Sequence, residues 1–256
     1  MTVYIPSPPS PLLLQERGLG GEVFQRLKIS LRPFYLSLFF FLGFLSPLHA
    51  QYDDAGLWTT INIEKKLKNN FRIFLTEEFR LRENFSEINL FYTDVGVGYR
   101  PYSFLKLDLS YRMTEKKLIT DFYSIRHRLM LDITLKKKYG NFDLAYRHRL
   151  QREVRNINSS ENGRNPEWYS RNKFTAKYDT DKKYTPYVSC EFRYQIDDPR
   201  NMESDQTWHR ARFVAGLEYE LNKKNTFGLY YLIQHEWNVS LPEKLYIIGL
   251  EYSLTL

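Results

Sequence analysis

Apolar and polar positions alternate with a period of two through residues 121–152, the spacing of strands whose side chains point to opposite faces. Tyr123, Ile125, His127, Leu129, Leu131, Ile133 and Leu135 share one face, while Ser124, Arg126, Arg128, Asp132 and Thr134 share the other. Met130 is the one apolar residue on the charged side. After a polar turn at residues 136–141 the split repeats. Phe142, Leu144, Tyr146, His148 and Leu150 oppose Asp143, Ala145, Arg147, Arg149 and Gln151. The stretch reads as one β-hairpin carrying Arg-His-Arg on both arms. An apolar-aromatic face backed by a charged one suits a strand with lipid on one side and a wet lumen on the other.

From Trp58 onward the same reading gives eleven strand-like segments, near residues 57–65, 70–82, 88–100, 103–113, 121–136, 141–152, 167–179, 184–196, 206–221, 226–237 and 244–256. Connections alternate between short and long, with residues 156–166 forming the largest loop. This pattern predicts an all-β chain: a single antiparallel transmembrane β-barrel of ten to twelve strands, with short periplasmic turns and longer external loops. An even count is usual for single-chain bacterial barrels, so eleven segments leave one strand unaccounted for or one segment split. The last segment places Tyr246, Ile248, Leu250, Tyr252, Leu254 and Leu256 on one face. A terminal strand of this kind is expected to be read by the barrel-assembly machinery during insertion.

Composition changes the picture only at the N-terminus and in the lumen. Aromatic residues make up 16% of the 256-residue chain, the formal charge is +7, and mean hydropathy is -0.51. Such polarity is compatible with a barrel, in which only alternate residues face lipid. Residues 27–50 read as a signal peptide: Lys28 and Arg32 precede an apolar core at residues 34–45, and Leu48-His49-Ala50 offers a cleavage site. The Pro-rich residues 1–26 lie ahead of it and read as a start-site artefact or disordered extension. Residues 51–256 are then the mature barrel. A single cysteine, Cys190, excludes an internal disulfide and reads as a small outward hydrophobe.

Strand parity assigns fifteen bases and eleven acids to the lumen. The candidate lining residues are Arg126, Arg128, Asp132, Arg147, Arg149, Arg171, Arg193, Arg210, Arg212 and Glu218, with Arg82, Asp143 and Glu220 among the others of the same parity. Two readings stay open: the charges pair across the lumen as a structural plug, or an excess of bases lines a narrow anion-preferring pore. Glu77 breaks the parity and is expected near an interface or a bulge. His127, His148, His209 and His235 all fall on the lipid side and read as members of interfacial belts. No serine follows any of them at a spacing of two, so catalytic residues, metal ligands and cofactors are expected to be none. A lipid-modifying enzyme and, less favoured, a soluble periplasmic ligand-binding barrel are the alternatives. The bases are interleaved with acids and form no separate patch, so nucleic acid is not an expected partner. Outer-membrane lipid is; the small molecule or ion that would use the lumen is not specified.

Several short motifs, in order, resemble those of a family of bacterial outer-membrane β-barrels called domain of unknown function 2490, common among Bacteroidetes. They are Gly56-Leu57-Trp58-Thr59, Glu64-Lys65-Lys66-Leu67, Thr93-Asp94-Val95-Gly96, Arg126-His127-Arg128, Tyr169-Ser170-Arg171-Asn172-Lys173, Pro186-Tyr187-Val188-Ser189 and Gly216-Leu217-Glu218-Tyr219. The resemblance covers residues 54–256. It implies a bacterial outer-membrane location and a barrel fold, and carries over no activity or catalytic residue.

Overall fold

The computed structural model describes residues 52–118, 122–155, 165–200 and 204–256. The leader expected at residues 1–50 lies outside them. Eleven strands follow one another: β1 (Tyr52–Lys66), β2 (Phe71–Arg82), β3 (Glu87–Tyr102), β4 (Leu105–Lys117), β5 (Tyr123–Tyr139), β6 (Phe142–Arg155), β7 (Glu167–Tyr178), β8 (Tyr184–Asp197), β9 (Trp208–Asn222), β10 (Asn225–Glu236) and β11 (Glu243–Thr255). Each pairs antiparallel with its neighbours in sequence, and the sheet closes on itself. The odd count is resolved at the seam, where β1 and β11 pair in parallel from Tyr52 opposite Glu243 to Glu64 opposite Thr255. An odd number of alternating strands can close only with one such pair. The start of β1 therefore lies at the end of the barrel where the longer loops gather.

Burial follows the alternation. On β5, Ile125, Leu129, Leu131, Ile133 and Leu135 are all exposed, whereas Asp132 and Thr134 behind them are buried. Met130 is 1% exposed and fills the interior beside Gln151. Closure hides the backbone edges that an open sheet would leave unpaired. At the short-turn end, cross-strand rings meet in pairs: Phe71 with Tyr99 at 4.6 Å, Phe142 with Tyr178 at 5.1 Å and Phe227 with Tyr252 at 5.0 Å between centroids. At the long-loop end Tyr194 meets Trp208 at 5.3 Å and His235 meets Trp237 at 5.8 Å.

Two positions depart from expectation, His209 in the face it takes and Glu77 in its place along the strand. His209 is 2% exposed and its ring stands 6.0 Å from the interior Tyr169, so it does not face outward. Register slips there, because Arg193 pairs with Arg210 while the next residue, Tyr194, pairs with Trp208; the extra residue in β9 is a bulge, which re-aims a side chain. Glu77 lies in the middle of β2, away from the slip at Arg80 and Leu81, and stays on the outer face, where it accepts a 2.9 Å hydrogen bond from Thr93 Oγ1.

Candidate functional site

The interior encloses about 970 Å³ of open space, lined from Glu64 and Lys177 near the short turns to Lys116 and Glu243 near the long loops. All ten residues predicted for the lumen line it. Four charged residues of this wall escaped the sequence reading: Lys116, Glu153, Arg155 and Glu243. For all four the cause is strand length. β11 starts at Glu243, one residue before the expected 244. β4 runs on to Lys117 and β6 to Arg155, beyond the expected ends at 113 and 152, and extending the same parity reaches Lys116, Glu153 and Arg155. Conversely, Arg82, Asp143 and Glu220 are not among the lining residues; Asp143 and Glu220 are exposed near the short-turn rim.

Most interior charges are paired, and two carboxylates act as hubs. Glu191 accepts from Arg147 at 2.6 Å and Arg171 at 2.5 Å, with Arg212 at 3.6 Å. Glu153 gathers Arg128 at 2.6 Å, Arg126 at 3.4 Å and Arg155 at 3.7 Å. Asp132 receives Nε and Nη2 of Arg149 at 2.6 and 2.7 Å, the forked geometry that makes arginine–carboxylate pairs strong. Near the short turns, Lys177 meets Glu218 at 2.6 Å. Guanidinium groups also lie over rings: Arg80 is 3.5 Å above Trp58, Arg112 3.7 Å above Tyr92 and Arg193 3.9 Å above Tyr169. Such stacking is a real but smaller attraction than a buried ion pair.

The pairing is unevenly distributed around the wall. Strands β6 to β9 contribute nine bases and three acids to the lining; the remaining strands contribute seven bases and eight acids. A basic wall thus faces a mixed, slightly acidic one, and the lumen as a whole holds an excess of five bases. At the long-loop rim, Asp198 accepts hydrogen bonds from Arg200 at 2.9 and 2.8 Å, and Arg200 also reaches Glu167 at 2.7 Å, which ties the β8–β9 loop to the mouth. Burial pushes the Asp198 carboxyl up, but the hydrogen bonds from Arg200 outweigh it and hold the group below the usual carboxylate range.

Of the outward histidines, His127 pairs with Tyr111 at 2.5 Å and His235 stands in the aromatic belt beside Trp237. His148 shares the Oδ1 of Asn172 with Tyr146, at 3.0 and 2.7 Å. The nearby Ser170 hydroxyl is joined to Asn172 at 3.5 Å.

Fold and lumen together define a closed β-barrel, antiparallel except at its one parallel seam, with an apolar outer wall and a charged, partly open interior. The chain belongs to the family described as protein of unknown function (DUF2490), which it matches over residues 55–242. No curated protein matches it. It is similar to a solved structure titled "NanC porin structure in rhombohedral crystal form", with 13% identity and a TM-score of 0.49, over 79% of this chain and 98% of that one. A second, titled "Bacterial polysaccharide outer membrane secretin", matches at 12% identity and a TM-score of 0.44, over 74% of this chain and 63% of that one.

Proposed function

We propose that this protein is a bacterial outer-membrane β-barrel whose charge-paired lumen serves as a narrow, anion-preferring pore and performs no catalysis. The observation that carries the reading is the interior space of about 970 Å³, which touches charged residues near both ends of the strands and is lined by sixteen bases and eleven acids. A wall of this composition favours anions, because a base-lined constriction lowers their entry barrier and raises that of cations. The membrane setting rests on the outer wall. Val97, Leu131, Phe213 and Leu229 are each 45–54% exposed around the circumference, an apolar surface far larger than soluble monomers carry. The aromatic pairs at the two ends of the strands suit the two interfaces of a bilayer. Residues 27–50 would direct export and residues 51–256 would form the inserted barrel.

The test is conductance of the protein, purified from the membrane fraction, in a planar bilayer under a salt gradient. Steady current with an anion-selective reversal potential is expected. Silence from a barrel shown to be folded by its heat-modifiable gel migration would reject the pore, and recovery of the protein in the soluble periplasmic fraction would reject the membrane setting itself.

A further inference from the structure

Four arginines stand side by side on the basic wall. Arg149 pairs with Arg171, Arg171 with Arg193 and Arg193 with Arg210, in one register row that Asp132 closes on one side and Glu236 on the other. Adjacent strands are only about 4.8 Å apart, and like charges directly opposite each other are destabilising unless something counters them. Three of the four are countered: Arg149 by Asp132, Arg171 by Glu191 and Arg210 by Glu236. Arg193 has no carboxylate within ion-pair distance among the described residues. Its guanidinium carbon instead lies 3.9 Å from the ring centre of Tyr169, a ring that is 1% exposed and whose hydroxyl is given to Glu167. The Nε groups of both Arg193 and Arg210 are buried without an acceptor.

We propose that Arg193 and Arg210, with Arg171 alongside, form a binding site in the lumen for a compact, multiply charged oxyanion of the phosphate type. The contact with Tyr169 is to the ring and uses no N–H acceptor, and the buried Nε of Arg193 still lacks one. Two guanidinium groups on neighbouring strands present several donors to one anion, and tetrahedral oxyanions accept such forked pairs better than a spherical halide does. An anion seated there supplies the countercharge the row lacks. The inference rests on the pore reading only in requiring that solute reach the lumen.

The experiment is calorimetric titration of the detergent-purified barrel with inorganic pyrophosphate at constant ionic strength, with sodium chloride as the comparison. Saturable binding of pyrophosphate and none of chloride is expected, with affinity at least tenfold weaker in Arg193→Gln. Arg193→Lys keeps the charge and removes the fork, so an intermediate loss is expected, and this variant carries the test if Arg193→Gln does not fold. Absence of binding, or equal binding by the wild type and both variants, overturns the site. Binding by a barrel that is silent in bilayers would retain the site and reject the pore; conductance without pyrophosphate binding would do the reverse.

Discussion

Glu191 shows how much of this interior depends on single carboxylates. It is 7% exposed and holds three guanidinium groups, so Glu191→Gln leaves Arg147, Arg171 and Arg212 mutually repelling. Removing one partner from a buried ion pair costs about 3–5 kcal/mol, and a loss of that size is expected in denaturant unfolding from lipid vesicles. The outer wall predicts the opposite chemistry. In the proposed membrane setting, Leu131→Arg would place a charge against lipid and should cost roughly 2–4 kcal/mol, whereas Thr134→Arg, on the same strand but facing the lumen, avoids that lipid penalty. Glu77→Leu removes an outward carboxylate and should leave stability unchanged or raised in the same assay. At this scale parity was legible wherever the strand is regular: every candidate from Arg126 to Glu218 lines the lumen because period two leaves a side chain only two choices. His209 was not legible, since a bulge inserts one residue without any glycine or proline to announce it.

Strand ends were the least readable feature of the elements. Nothing in Glu153 or Arg155 distinguishes a rim position from a loop, because a charged residue is at home in both, and only the hydrogen-bonded ladder to β7 and β5 decides. The lumen face of the last strands shows a second device that composition hid. Tyr187, Gly216, Tyr230, Gly249 and Trp58 follow one another across a single register row, rings alternating with glycines. A Cβ on Gly249 would lie 1.9 Å from the Tyr230 ring, and one on Gly216 2.6 Å from that of Tyr187. Each ring thus lies flat on the wall over the missing side chain, which keeps the lumen open beside it. Gly249→Val should force Tyr230 off the wall, at about the 1–3 kcal/mol typical of overpacking, and lower the unitary conductance. The β8–β9 loop carries a pH signature. A carboxyl whose folded pKa lies below its unfolded value stabilises the fold fully above the unfolded value, about 3.9, and loses that contribution as pH falls through the folded one. The Asp198–Arg200 clamp should therefore hold at neutral pH and release in strong acid, read as rising mobility of a fluorophore at Pro199→Cys in a Cys190→Ser background; Asp198→Asn should show that mobility already at pH 7.

For the whole molecule, the parallel seam accounts for the odd strand count that the sequence pattern left open. Eleven alternating strands put the two ends of the sheet on opposite sides: β11 finishes among the short turns, and β1 begins among the long loops. Parallel pairing is slightly weaker per residue than antiparallel, yet here it extends over thirteen residue pairs, and without it both edge strands would be left with open hydrogen-bonding groups, which in the proposed bilayer setting no water could satisfy. If the long loops face outward, the start of β1 must face outward with them. Single cysteines in a Cys190→Ser background test this directly. Asp53→Cys, beside the seam, and the exposed Leu241→Cys in the β10–β11 loop should both react with a membrane-impermeant maleimide on intact cells, whereas Tyr139→Cys at the β5–β6 turn should react only after the outer membrane is permeabilised. Labelling of Asp53→Cys together with Tyr139→Cys would mean that β1 runs the other way and that the barrel closes with an even number of strands.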